Sequence, residues 1–168
     1  MKLIVGLGNP EEKFFKTRHN VGFLLIDKLV QVRSLLWESN SKFNSYTSYD
    51  PLGDIRYLKP QTYMNNSGEA VSKALSYYKL GVDSLTVLHD DIDLPFGKIK
   101  FQKNSGSAGH HGIEDIVLKI GSADFWRLRF GVGKPQISAQ VPDYVLSDFT
   151  VEELAFIAGV DVSKLIVG

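Results

Sequence analysis

Leu3-Ile4-Val5-Gly6-Leu7-Gly8-Asn9-Pro10 decides how this chain folds, because a short apolar run breaks directly into a glycine turn. That pattern reads as a buried strand delivering polar side chains at its end. Thr17-Arg18-His19-Asn20-Val21-Gly22 follows closely. A second apolar run, Leu85-Thr86-Val87-Leu88, ends in His89-Asp90-Asp91-Ile92-Asp93-Leu94-Pro95. An imidazole and a carboxylate carried near separate strand ends can meet in space. Such a pair is the minimum equipment of a general base with an orienting partner.

Between and beyond these blocks the chain alternates. Apolar residues at 21, 24, 25, 29, 32 and 36 have helical spacing. Phe43 to Tyr49 and Ile55 to Leu58 read as strands around the turn Asp50-Pro51-Leu52-Gly53-Asp54. Ser67 opens a second helix that Gly81 is expected to stop. Lys98 to Phe101 and Arg127 to Val132 read as strands, and Gly112 to Ile120 as a helix ended by Gly121. Between them, Asn104 to Gly109 is a loop of small residues. Asp143 to Leu146 reads as a short extended piece, and Val151 to Ala158 as a last helix. There are no repeats and no linker. Strands alternating with helices argue for one α/β domain over residues 1–168, with a mostly parallel sheet.

Composition narrows the function classes. At 168 residues and 43% apolar, the chain can build a core and is too apolar for a disordered one. No apolar run is long enough to span a membrane, and the N-terminus enters a strand where a signal peptide would place its apolar region. Cysteine is absent, so disulfides, thiolate metal sites and cysteine nucleophiles are excluded, and a reducing compartment fits. With 19 basic and 19 acidic residues, any grip on nucleic acid is a local patch and not a global field.

Each constellation has a plain structural alternative. Gly6-Leu7-Gly8 invites a dinucleotide-binding reading, but Glu11 occupies the third glycine position, Pro10 interrupts the turn, and Asp27 falls inside a helix. The turn still projects Asn9, with a donor and an acceptor, where α/β sheets bind ligands. His19 alone could be a surface residue at a helix entry, and Asp90 alone a turn former. Together they gain weight, since a carboxylate on one imidazole nitrogen leaves the other free to take a proton from water. No serine lies in a nucleophile-elbow pattern, which leaves water as the nucleophile. Asp90, Asp91 and Asp93 could hold a hard cation, but His110 and His111, being adjacent, point apart in regular structure and make no ligand pair. Pro60 to Ser67 ends a strand and begins a helix. Its free N–H groups could bind an oxyanion, and Asn65 could polarise a carbonyl. The plain alternative is capping by Asn66 or Ser67. Lys98, Lys100, Lys103, Arg127, Arg129 and Lys134 could form a modest phosphate grip or a merely solvated face.

In this order the blocks resemble bacterial peptidyl-tRNA hydrolase. They comprise the two N-terminal segments, Lys59 to Gly68, His89 to Pro95, Gly106 to Gly112, Phe125 to Gly133 and Asp143 to Leu146. The resemblance covers nearly the whole chain, and several blocks together are far more specific than any one. It implies a phosphorylase/hydrolase-like fold, a mixed, mostly parallel twisted sheet flanked by helices. It further implies a cytoplasmic, monomeric enzyme with no metal and no cofactor. Its partner would be peptidyl-tRNA, whose peptide–ribose ester it would cut to recycle tRNA from aborted translation. By position, His19 would activate water and Asp90 would hold it in its basic form. Asn9 would contact the peptide and help reject unblocked aminoacyl-tRNA, and Asn65 would lie near the scissile carbonyl. Phe14 and Tyr63 would line the site for the tRNA end, and Arg129 with nearby lysines would form the basic rim.

Two departures stand out. His111 takes the place of an asparagine usual in the family, which would help place water and the tRNA end. The chain also stops soon after Phe156, where relatives usually continue with another helix. Two rival readings remain: a non-catalytic RNA-binding relative of the same fold, and the dinucleotide-binding oxidoreductase that Glu11 and Pro10 oppose.

Overall fold

A computed structural model describes residues 1–166. Seven strands form one sheet: β1 (Lys2–Gly6), β2 (Glu38–Asn40), β3 (Ser45–Asp50), β4 (Ile55–Pro60), β5 (Leu85–Asp91), β6 (Ile99–Lys103) and β7 (Trp126–Gly131). Their spatial order is β2-β3-β4-β1-β5-β7-β6. The four central strands β4-β1-β5-β7 run parallel, and antiparallel pairs flank them on both edges. Both ends of the expected hairpin around Pro51 pair as anticipated, Asp50 opposite Ile55.

Helices cover both faces, which is why the central strands place apolar side chains on both sides. Every residue of β5 is buried. On one face α2 (Ser67–Tyr78) and α3 (His111–Ile120) enclose Leu3, Val5, Val87 and Phe125. On the other, α1 (Val21–Val32) and α5 (Val151–Ala158) enclose Ile4, Leu88, Leu128 and Phe130. A five-residue helix, α4 (Val141–Val145), precedes α5.

The glycines of the opening blocks serve packing. At Gly22, an added Cβ would strike the Leu88 carbonyl oxygen and lie 2.6 Å from the Leu7 amide nitrogen. The first turn of α1 therefore lies directly on the ends of β1 and β5. This close approach brings the turn before α1 to the same sheet edge as the end of β5. It also disposes of the dinucleotide reading, since α1 occupies the space over Gly6 and Gly8.

Four local expectations need correction. α1 stops at Val32, because Ser34 turns left-handed (φ 55°), and Leu36 is left 83% exposed. α2 is ended by Lys79 in the left-handed region (φ 55°), ahead of Gly81. Neither Asn66 nor Ser67 caps α2 with its side chain. Asp115 of α3 does so instead, its Oδ2 accepting the Gly68 N–H at 2.8 Å. Residues 143–145 are helical, with Pro142 suited to a first helical turn.

Candidate active site

Asn9 leaves the end of β1 with both its backbone groups fixed. Its N–H donates to Asn20 Oδ1 and its carbonyl accepts from Asn20 Nδ2, each at 2.9 Å. Its side-chain Oδ1 accepts the Met64 N–H at 2.8 Å. A backbone N–H can only donate, so this contact fixes the amide orientation and leaves the Asn9 NH2 as the group offered to the cleft. The sequence alone allowed both a donor and an acceptor here.

His19 lies in a 3-10 turn, Arg18–Asn20, that runs into α1. Its Nδ1 lies 2.9 Å from Asp90 Oδ2 and 3.1 Å from Oδ1. Asp90, at the buried end of β5, is 2% exposed. Burial alone would raise its pKa, yet the His19 and His110 imidazoles hold its carboxyl well below the usual carboxylate range. It is therefore ionised at neutral pH and accepts a hydrogen bond from His19 Nδ1–H. His19 Nε2 keeps its lone pair.

His110 is the residue that sequence reasoning missed. Its Nε2 lies 2.8 Å from Asp90 Oδ1. Its Nδ1 caps α3 by accepting the Ile113 N–H at 3.2 Å. That acceptor role fixes the tautomer: Nε2 carries the hydrogen and donates it to Asp90. One carboxylate thus orients two imidazoles, whose ring centroids are 5.0 Å apart. A third imidazole, His89, packs edge-on to His110 at 5.0 Å and donates Nδ1–H to the Asp90 carbonyl at 2.7 Å. Burial, then the neighbouring His110 imidazole and the Arg127 charge, push His89 well below its ordinary pKa, so it adds no charge.

His19, Asp90 and His110 also form the one cluster among the described residues whose donor atoms could converge on a metal ion. The chemistry of His110 opposes that use. A ligating imidazole donates its other N–H outward, whereas His110 Nδ1 must accept from Ile113. Coordination through Nε2 would set two N–H groups against each other. The hard-cation trio considered from sequence does not converge either. Asp91 Oδ2 binds Arg129 Nε at 2.8 Å and Asp91 Oδ1 takes the Asp93 N–H at 2.9 Å, apart from the Asp90 pair.

These groups open into a cleft of about 610 Å³. Phe14, Tyr63, Asn65 and His111 line it together with Asn9, His19 and Asp90, so the structure brings seven of the eight sequence-expected residues to one place. Tyr63 is held in the left-handed region (φ 65°) and its hydroxyl donates to Glu11 Oε1 at 2.5 Å. A non-glycine residue kept there is strained, and the turn it makes aims the Met64 N–H at Asn9. The expected free N–H groups at the start of α2 are partly spent, since Asp115 holds Gly68.

Arg129 is the exception. It does not line the cleft. Its Nε is paired with Asp91 and its NH1 donates to Gln102 Oε1 at 2.7 Å. Lys103 is likewise paired, with Asp83 and Asp124. Arg127 points inward, 2% exposed, and its NH2 donates to Ser105 and to the Gly106 carbonyl. Burial and then Arg129 lower it to about 10, against Asp91, so it stays cationic and braces the loop leading to His110. Lys98, Lys100 and Lys134 form no ion pair among the described residues, so they carry the uncompensated charge near this edge.

A buried carboxylate, an imidazole and an amide donor at the parallel-strand edge of an α/β sheet are the equipment a water-activating hydrolase needs. Residues 3–164 match the family model described as "Peptidyl-tRNA hydrolase". The peptidyl-tRNA hydrolase of Aliarcobacter butzleri is 47% identical over 154 residues, 92% of this chain and 82% of the relative. That of Maridesulfovibrio salexigens is 42% identical over 163 residues, 93% and 80% of the two chains. The crystal structure of the Acinetobacter baumannii peptidyl-tRNA hydrolase superposes with a TM-score of 0.89 at 33% identity, covering 95% of this chain and 82% of that one. The chain belongs to the peptidyl-tRNA hydrolase family.

Proposed function

We propose that this chain hydrolyses the ester joining a peptidyl group to the 3′ ribose oxygen of tRNA, with His19 as the base. The observation that carries the mechanism is the Asp90–His19 Nδ1 contact at the wall of the cleft. His19 Nε2 takes a proton from water as the water oxygen bonds to the carbonyl carbon. The carbon–ribose oxygen bond then breaks, and the His19 proton passes to the leaving oxygen. The products are a peptide carboxylate and tRNA with a free 3′ hydroxyl. Asn65, on the cleft wall, is assigned the donation of an amide N–H to the carbonyl oxygen. Phe14 and Tyr63 offer ring faces to the terminal base, His111 contacts the same end, and Lys98, Lys100 and Lys134, rather than the Asp91-paired Arg129, border the approach of the phosphates. On this reading the enzyme works as a monomer in the cytoplasm, without metal or cofactor. No helix among the described residues is long and apolar enough to cross a membrane.

Asn9 supplies the selection. Its outward NH2 can donate to the carbonyl of a blocked α-nitrogen. A free α-ammonium brings only donors to the same place, and desolvating an unpartnered charge costs several kcal/mol. N-acetyl-aminoacyl-tRNA is therefore expected to be cleaved on the order of 10²-fold or more faster than the unblocked form. Asn9→Ala should narrow that ratio by slowing the blocked substrate. Equal slowing of both, measured as kcat/KM, would remove Asn9 from the selection.

The pH dependence has a definite sign. Burial pulls His19 down, but the Asp90 charge and hydrogen bond outweigh it and raise its pKa above 6.5. The base must be neutral, so kcat/KM should rise with pH through a midpoint above 6.5. The linked stability runs the other way. His19 holds its proton more tightly when folded, so its contribution is full below 6.5 and is lost as pH climbs through the folded-state value. An activity midpoint below 6.5 would contradict this arrangement.

A further inference from the structure

Arg18 immediately precedes the base, yet its side chain faces away from His19 and into the C-terminal segment. Its NH1 donates to Ser147 Oγ at 2.6 Å, to the Asp148 carbonyl at 2.9 Å and to the Ser147 carbonyl at 3.3 Å. Its NH2 pairs with Glu153 Oε1 at 3.2 Å. The guanidinium lies over the Tyr144 ring at 4.4 Å and near the Phe149 ring at 5.7 Å. The backbone adds to this junction: the Arg18 N–H donates to the Ser147 carbonyl, and the Phe149 N–H to the Lys16 carbonyl. Glu153 is itself fixed, because it accepts the Thr150 N–H at 2.9 Å in the capping box of α5.

The segment held this way cannot hold itself. α4 has five residues, none of them buried, and a helix that short is unstable alone. Its one other polar anchor among the described contacts is the Tyr144 hydroxyl on the Val132 carbonyl at 2.5 Å. Yet Val141, Pro142 and Val145, with Leu146, form the apolar wall of the cleft. Asp143 is the only charged residue in α4 and there is no cation, so the wall suits an acyl side chain and not a phosphate backbone.

We propose that Arg18 is a positioning residue that clamps α4 over the cleft, setting its apolar wall for the peptide part of the substrate. The substrate half of this proposal rests on the ester-hydrolase reading, whereas the clamp itself does not. If losing the clamp leaves α4 closed about a tenth of the time, apparent affinity falls about tenfold.

Two measurements on the intact chain test it. Hydrogen exchange of Arg18→Ala should show protection at residues 144–149 falling about tenfold while β5 is unchanged. Steady-state kinetics should show KM for N-acetyl-leucyl-tRNA rising about tenfold, with kcat within about twofold and N-acetyl-glycyl-tRNA little affected. Unchanged exchange at 144–149, or a loss spread over the whole sheet, would overturn the clamp. A fall in kcat at constant KM, or equal effects on both substrates, would overturn the role assigned to the wall. If Arg18→Ala does not fold, Glu153→Gln removes the paired charge while a glutamine can still close the capping box. It should raise exchange in the same segment, and no change would equally overturn the clamp. Failure of the wild-type chain to cleave either substrate would refute the hydrolase reading and leave the exchange result to decide the clamp.

Discussion

His19→Ala is expected to lower turnover of N-acetyl-aminoacyl-tRNA by on the order of 10²–10⁴-fold, the usual worth of a positioned general base. The fold should survive. His19 sits in a turn and not in either apolar cluster, and its side chain is 14% exposed. The neighbouring imidazoles cannot take over. His110 has both ring nitrogens engaged, and His89 is buried behind it with Nδ1 on a backbone carbonyl. His111 also lines the cleft, but no hydrogen bond orients it among the described contacts. A His19→Ala enzyme that keeps more than about a tenth of wild-type turnover, in single-turnover assays at saturating enzyme, would assign the base elsewhere.

Asp90→Asn should have the second largest effect, again on the order of 10²-fold or more on kcat. The carboxylate accepts from two imidazoles, His19 Nδ1–H and His110 Nε2–H. An amide has one oxygen for those two donors. Because His110 is committed to Nε2–H by its cap on α3, the amide oxygen is claimed there and the NH2 turns toward His19. His19 must then present its Nδ1 lone pair, which moves the hydrogen to Nε2, the nitrogen that should accept from water. The acid limb of the pH profile should also shift down, since burial then acts on His19 without the opposing charge. Turnover close to wild type with weakened substrate binding would make Asp90 a substrate contact instead.

Much of this site was legible because its parts are local. β1 and β5 announce themselves as apolar runs, and each hands its polar residue to the C-terminal edge of a parallel pair, Gly6 beside Leu88. His19 and Asp90 could therefore be paired from the sequence alone. What stayed hidden depends on where loops return. His110 and His111 both line the cleft, but that His110 is the one held on Asp90 was settled by the Ile113 cap and the Asp90 carboxylate. The polarity of Asn9 was set by a backbone N–H from residue 64, far away in sequence. Asp115 caps a helix other than its own. α4 is helical although its run is too short to show a period, and it is held by the side chain of Arg18. Arg129 looked like a free rim cation because sequence does not show that Asp91 neutralises it.

The most direct test of the central claim is a single-turnover time course with the wild-type chain, N-acetyl-aminoacyl-tRNA and a strong chelator. A water-activating His19–Asp90 pair predicts complete release of the N-acetyl amino acid and of tRNA with a free 3′ hydroxyl, at a rate the chelator does not change. Tight binding of the tRNA without cleavage would contradict the account and mark the chain as a non-catalytic RNA-binding relative, while cleavage abolished by the chelator and restored by added metal would make the His19–Asp90–His110 cluster a metal site.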